Sequence, residues 1–222
     1  MSGPVTMVPM QETATLEDAM PDSFEGPSPR SRTVLFLEML VFATLSLIAS
    51  FVLSYDAILI AKNPEVVLSC SINAIFDCVA VGSTPQANVF GFPNAFLGLI
   101  AEPVVMTIAV ASLAGTRFPR WFMFTANVVY FLGVIFAYWL LFQSTFVIGA
   151  LCPWCILVTL STTFVFTSMT HWNILEGNLL LPPSAQAKAL AFAKGGWLAI
   201  TLMVWLAAVV FIEIAHWVFR II

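Results

Sequence analysis

The sequence predicts an all-α integral membrane protein that crosses the bilayer five times. Three observations lead there. Apolar residues make up 60% of the 222-residue chain and charged residues only 9%, against roughly 25% charged in an ordinary soluble domain. Five stretches are apolar over the ~20 residues that a transmembrane helix needs. The few basic residues are distributed unevenly around those stretches, which is the signal that orients spans. So few charges cannot cover a water-facing surface, and lipid is the natural solvent. Nucleic acid is excluded as a partner, because there is no basic patch. The net charge of −4 says little, since five of the twelve acids fall in the first 25 residues.

Taken in order, residues 1–31 are acidic and rich in Pro, Ser and Thr, and read as a disordered cytoplasmic tail. They lack the charged start and apolar stretch of a signal peptide, so the first span is expected to be a retained anchor. The spans run approximately Thr33–Ile60, Ala95–Gly115, Trp121–Phe146, Leu151–Thr170 and Trp197–Phe219. A loop, 62–94, separates the first two. A short turn at Gly149 separates the third and fourth. A hydrophilic stretch, 172–196, with Pro182, Pro183, Lys188 and Lys194, is read as a cytoplasmic loop before the fifth span in 197–222. No internal repeat of the transporter kind is present.

With the N-terminus in the cytoplasm, Arg30, Arg32, Arg117, Arg120, Lys188 and Lys194 lie inside, and only Lys62 and Arg220 outside. The opposite orientation reverses that bias, so the expectation is N-terminus in and C-terminus out. Cys70 and Cys78 then fall in the outer loop, and Cys152 and Cys155 at the outer start of span four. All four thiols sit where disulfides persist, although the orientation argument made no use of them.

Three readings of these cysteines are open. They could be structural disulfides or small buried hydrophobes. They could be zinc ligands, but Cys-x7-Cys in an oxidising compartment is poor spacing for that. Or they could form a thiol relay. A bridge across two residues gives a membrane bundle little stability, and a Cys-x-x-Cys pair at a helix start is exchangeable. The helix N-terminus favours thiolate, and Pro153 loses no hydrogen bond in a first turn. A relay at the lipid boundary needs an acceptor that lives in lipid. With no haem or flavin signature, and with His171 on the inner side and His216 near the outer end of span five, a membrane quinone is the economical choice.

At this point the chain resembles the vitamin K epoxide reductase family, in its bacterial branch. The resemblance rests on Cys70, on Cys78-Val-Ala-Val-Gly-Ser-Thr84, on Phe90-Gly-Phe-Pro-Asn94-Ala-Phe-Leu-Gly98 and on Cys152-Pro-Trp-Cys155, in that order over residues 33–170. It implies a four-helix bundle, 32–171, around a quinone, with the fifth transmembrane helix added to it. It also implies residence in the bacterial inner (cytoplasmic) membrane. The implied activity is that of a quinone-dependent thiol–disulfide oxidoreductase. It re-oxidises a DsbA-like, thioredoxin-fold partner, here a separate protein because the chain stops at Ile222, and so drives disulfide formation outside the cytoplasm. The acceptor is menaquinone or ubiquinone, and no metal is implied. In disulfide bond formation protein B, also quinone-coupled, the close pair precedes the spaced one; here the order is reversed. Quinone or quinone-epoxide reduction as the main role, and a non-catalytic scaffold, stay open.

The same resemblance assigns roles. Cys70 and Cys78 match the shuttle pair that meets the partner, Cys152 the thiol that exchanges with it, and Cys155 the thiol facing quinone. Asn94 matches an amide that hydrogen-bonds a quinone carbonyl; read from sequence alone it is a helix N-cap. Thr84 matches a hydroxyl that organises the loop. Thr159 stands where vertebrate members carry a tyrosine against the second carbonyl. Gly91 and Gly98 read as points of close backbone approach. Glu38, Asp56, Glu102 and Glu213 are costly in hydrocarbon and are candidates for function. Glu102, before Pro103, is expected to face the bundle, relay a proton or mark a kink. Trp154 reads as an interfacial anchor or a lid over the ring.

Overall fold

The structure, a computed structural model, describes residues 28–221. The predicted disordered tail lies almost wholly outside the described residues. Helix α1, Pro29–Lys62, opens with a proline in its first turn and with the Ser28 hydroxyl accepting from the Ser31 N–H. The other helices are α2, Cys78–Gly82; α3, Ala95–Leu113; α4, Arg120–Phe142; α5, Pro153–Leu175; α6, Pro183–Lys194; and α7, Trp197–Ile221. Five of them, α1, α3, α4 with its continuation, α5 and α7, are long and apolar enough to cross a membrane.

Four spans converge on one core. Phe36, Met39 and Ala43 of α1 meet Val105, Ile108 and Ala109 of α3, Met123 and Tyr130 of α4, and Val165, Met169 and Trp172 of α5. The α1–α3 contact is close, because a methyl group on Gly98 would overlap the Ser50 hydroxyl and lie 2.8 Å from Ser50 Cβ. Away from the core, side chains such as Leu37, Phe51, Ile100 and Leu132 are exposed, as lipid-facing residues are. Helix α7 stands at the edge. It touches the bundle through Trp205, whose Nε1 donates to Tyr138 Oη at 2.8 Å, and through Glu213, which accepts from Thr145. An all-α membrane bundle of four helices with a fifth beside it is therefore observed as predicted.

Four threonine hydroxyls of α5 are satisfied within the helix itself. Thr159, Thr162, Thr163 and Thr167 of α5 each donate to the carbonyl four residues back, which avoids stranding a donor in hydrocarbon. Two stretches differ from the sequence reading. Helix α5 runs past Thr170 to Leu175, and the stretch 172–196, read as a loop, contains α6. Five alanines between Pro183 and Gly195 explain that helix: alanine is the best helix former, proline suits the first turn and glycine ends it.

Candidate active site

The site lies at the end of the bundle where α1 and α4 finish and α3 and α5 begin. Its loop is held in place from within. Asp77 caps α2, accepting from the backbone N–H groups of Val79 and Ala80 at 3.0 and 3.2 Å and from the Ser71 hydroxyl at 2.6 Å. The Ser71 hydroxyl, assisted by those two N–H groups and against the effect of burial, holds the Asp77 carboxyl below its ordinary range. Asx turns form at Asn73, whose Oδ1 accepts from Ile75 and Phe76.

The loop is then clamped to the start of α5. Phe76 and Leu151 form an isolated parallel bridge: Leu151 donates to the Ile75 carbonyl at 2.6 Å, and Asp77 donates to the Leu151 carbonyl at 3.0 Å. Parallel register sets Cys78 and Cys152, just beyond the paired residues, side by side. On the α4 side the span ends in a π-helical stretch, Gln143–Ile148, and the chain reverses at Gly149. That residue sits at φ 73°, where glycine carries no penalty.

Four sulfurs therefore share one cluster. Cys70 and Cys78 form a disulfide, while Cys152 and Cys155 are free thiols. Cys78 Sγ lies 3.3 Å from Cys152 Sγ. The sequence left open which loop cysteine faces Cys152, and the bridge register brings Cys78 there. Cys152 occupies the N-cap of α5 with Pro153 in the first turn, and the Trp154 and Cys155 N–H groups and the Cys155 thiol are hydrogen-bonded to it. Leu53, Leu59, Ile60, Val66 and Trp154 close around the cluster, so Trp154 packs against the cysteines. Cys152 is 1% exposed and Cys78 3%.

The resemblance-based residues fall around this cluster. Thr84 donates its hydroxyl to the Val81 carbonyl at 2.7 Å, closing the end of α2 ahead of a 3-10 turn, Pro85–Asn88. Asn94 starts α3 but makes no side-chain cap. Its Nδ2 donates to the Gln86 carbonyl at 2.7 Å and its Oδ1 accepts from Val89 N at 3.1 Å, so it laces the loop around Gly91 (φ 80°). An amide nitrogen carries two hydrogens, and this leaves one. Phe90, Phe92 and Phe96 flank it as a run of neighbouring rings, and Phe90 reaches Phe136 of α4 at 5.5 Å. A spare amide donor beside aromatic faces fits a flat, apolar carbonyl compound. Thr159 is buried one turn from Cys155, with its hydroxyl donating to the Cys155 carbonyl at 2.9 Å.

Glu102 does face the bundle. Ser46 of α1 donates to it at 2.7 Å and Tyr130 of α4 to both its oxygens at 3.0 and 3.1 Å. Glu38 is hydrogen-bonded by Ser168. Asp56, near the end of α1, places Oδ2 3.7 Å from Cys70 Sγ. His216 packs edge-on against Phe146, away from the sulfurs. The sequence reading missed Asp77, although an aspartate directly before Cys78 carries an N-cap signature. It missed Leu151 too, for which no side-chain signal exists, because the backbone does the pairing.

A membrane helix bundle with two cysteine pairs meeting at one end of its core defines a membrane redox protein. The chain belongs to the vitamin K epoxide reductase family: that family's model matches residues 37–170, more than half of the chain, running from within α1 to within α5. Its members are membrane oxidoreductases that couple disulfide chemistry to quinone. A search of the curated proteins finds no match.

Proposed function

We propose that this protein re-oxidises a separate DsbA-like, thioredoxin-fold dithiol partner and passes the electron pair to a membrane quinone, driving disulfide formation outside the cytoplasm. The observation that carries this reading is the 3.3 Å approach of Cys78 to Cys152, which joins the loop pair to the α5 pair. A reduced partner's thiolate attacks the Cys70–Cys78 disulfide, forming a mixed disulfide and freeing one loop sulfur as thiolate. Cys78 thiolate then attacks Cys152 of the Cys152–Cys155 disulfide, and Cys155 leaves as thiolate. The partner's second thiol resolves the mixed disulfide, and Cys78 and Cys152 are separated when Cys70 re-forms its bond to Cys78. That leaves Cys152 and Cys155 reduced, the state present in the structure.

A bound quinone supplies the two-electron, two-proton sink that returns Cys152 and Cys155 to a disulfide. Asn94 is the residue to hold one carbonyl through its remaining N–H, with Cys155 facing the ring and Thr159 one turn deeper in the wall. The donor at Asn94 favours charge on the ring oxygen in the way an oxyanion donor does. Thr84 and Asp77 keep the loop in register for transfer. The basic end of the bundle, with Arg30, Arg32, Arg117, Arg120, Lys188 and Lys194, faces the cytoplasm in this reading, and the cysteine end faces out.

The test is turnover of a purified reduced thioredoxin-fold partner with added quinone. Native protein is expected to oxidise it, and Cys155→Ala to lose that activity by several orders of magnitude, about as far as other losses of a catalytic nucleophile. Undiminished turnover in Cys155→Ala would sink the mechanism.

A further inference from the structure

We propose that Asp56 decides which sulfur of the loop disulfide leaves with the electron pair, so that the thiolate is released on Cys78, the sulfur that faces Cys152. This deepens the function proposed above and rests on it. The two loop sulfurs sit in different surroundings. Cys70 Sγ has the Asp56 carboxylate at 3.7 Å, and Cys78 Sγ has the Cys152 thiol at 3.3 Å. Both are buried, at 6% and 3% exposure, so water does little to even out the difference.

Negative charge on Cys70 would lie beside an existing negative charge. Negative charge on Cys78 would lie beside Cys152 Sγ, which at that stage is in its disulfide with Cys155, carries no charge and is the electrophile that takes up the pair. The weaker base leaves faster in thiol–disulfide exchange, so an incoming thiolate bonds to Cys70 and expels Cys78. The S–S bond between Cys70 and Cys78 breaks, a partner–Cys70 bond forms, and the electron pair stays on Cys78. Attack on Cys78 would do the reverse and strand the pair on Cys70, away from α5. When the partner's second thiol resolves the mixed disulfide, Cys70 takes up that thiol's proton, and its S–H has Asp56 Oδ2 as acceptor. Asp56 acts here through Cys70, as a positioning residue. The titratable groups set against it are Cys70 from the loop and Cys152 from the start of α5, with Tyr55 and Lys62 nearest along its own helix.

The experiment reads thiol acidity directly. Full-length protein in detergent micelles is reduced with dithiothreitol and alkylated with iodoacetamide across the neutral to alkaline range, and each cysteine peptide is quantified by mass spectrometry. In native protein Cys78 is expected to react ahead of Cys70 at neutral pH, with its profile lying at lower pH. In Asp56→Asn the Cys70 profile moves to lower pH and the Cys78-to-Cys70 ratio falls about tenfold, the effect of one unit in thiol acidity. Asp56→Glu restores the native ratio. A Cys70 profile unmoved in Asp56→Asn, or Cys70 reacting first in native protein, overturns the proposal. Re-formation of the Cys70–Cys78 disulfide on oxidation reports folding, and Asp56→Ser takes over the comparison if the amide variant does not fold. Neither partner nor quinone enters this readout. Loss of partner oxidation would therefore refute the proposed function while leaving the alkylation result standing.

Discussion

Asp77 shows how much one side chain does for this site. It caps the helix that begins with Cys78 and is tied to Ser71, so Asp77→Ala is expected to cost about 1 kcal/mol of local stability, the usual value of an N-cap. Faster amide hydrogen exchange across residues 77–83 would report the loss. Its carboxyl is held below its ordinary range in the folded loop. The cap is therefore fully present above the unfolded value and is lost as pH falls through the folded one. Loop exchange should stay slow at neutral pH and rise only in strong acid, and Asp77→Asn should flatten that dependence. Spacing and the expected compartment marked the four cysteines as candidates for one redox set, and the fold brings their sulfurs together. Which loop sulfur faces Cys152 was not, because that rests on a backbone bridge between residues 75 positions apart in the chain. Asn94 read as a helix cap; its amide instead laces the turn at Gly91, a geometry that only the folded loop displays.

Among the elements, α1 and α3 are the pair most dependent on small residues. Gly98 packs onto Ser50 with no room for a methyl group, so Gly98→Ala should destabilise the bundle by about 1–3 kcal/mol, the range for overpacking. A lower thermal midpoint in micelles checks it, with Gly133→Ala as the control, since a methyl there meets nothing within 4 Å. The buried Glu102 group ties α1, α3 and α4 together through Ser46 and Tyr130. Tyr130→Phe removes a donor from a carboxylate that lies out of water, and is expected to cost about 1–3 kcal/mol, read in the same melt. The spans themselves were legible because ~20 apolar residues leave little else possible. Helix α6 was not, because its prolines, lysines and alternating alanines lower the hydropathy enough to look like a solvated loop when only hydropathy is followed.

For the molecule as a whole, the division of labour is between a four-helix core and a fifth helix at its edge. The family match ends at residue 170, and α7 meets the rest of the bundle at its edge, through contacts that include Trp205–Tyr138, Glu213–Thr145 and His216–Phe146. Trp205→Phe should therefore leave the Cys70–Cys78 disulfide and partner oxidation within about twofold of native, a change well under 1 kcal/mol, as measured in the turnover assay. The apolar setting of Cys152-Pro-Trp-Cys155 follows from the same architecture: it sits where the loop after α1 and the start of α5 share one cluster of sulfurs. The most direct test of that arrangement is to trap the relay in Cys70→Ser/Cys155→Ala, with Cys78→Ser/Cys155→Ala beside it, oxidise each protein gently and map its disulfides by non-reducing mass spectrometry. A Cys78–Cys152 disulfide is expected in the first variant, and Cys70 and Cys152 unpaired in the second. A Cys70–Cys152 disulfide in the second, or Cys152 remaining unpaired in the first, would contradict the transfer path.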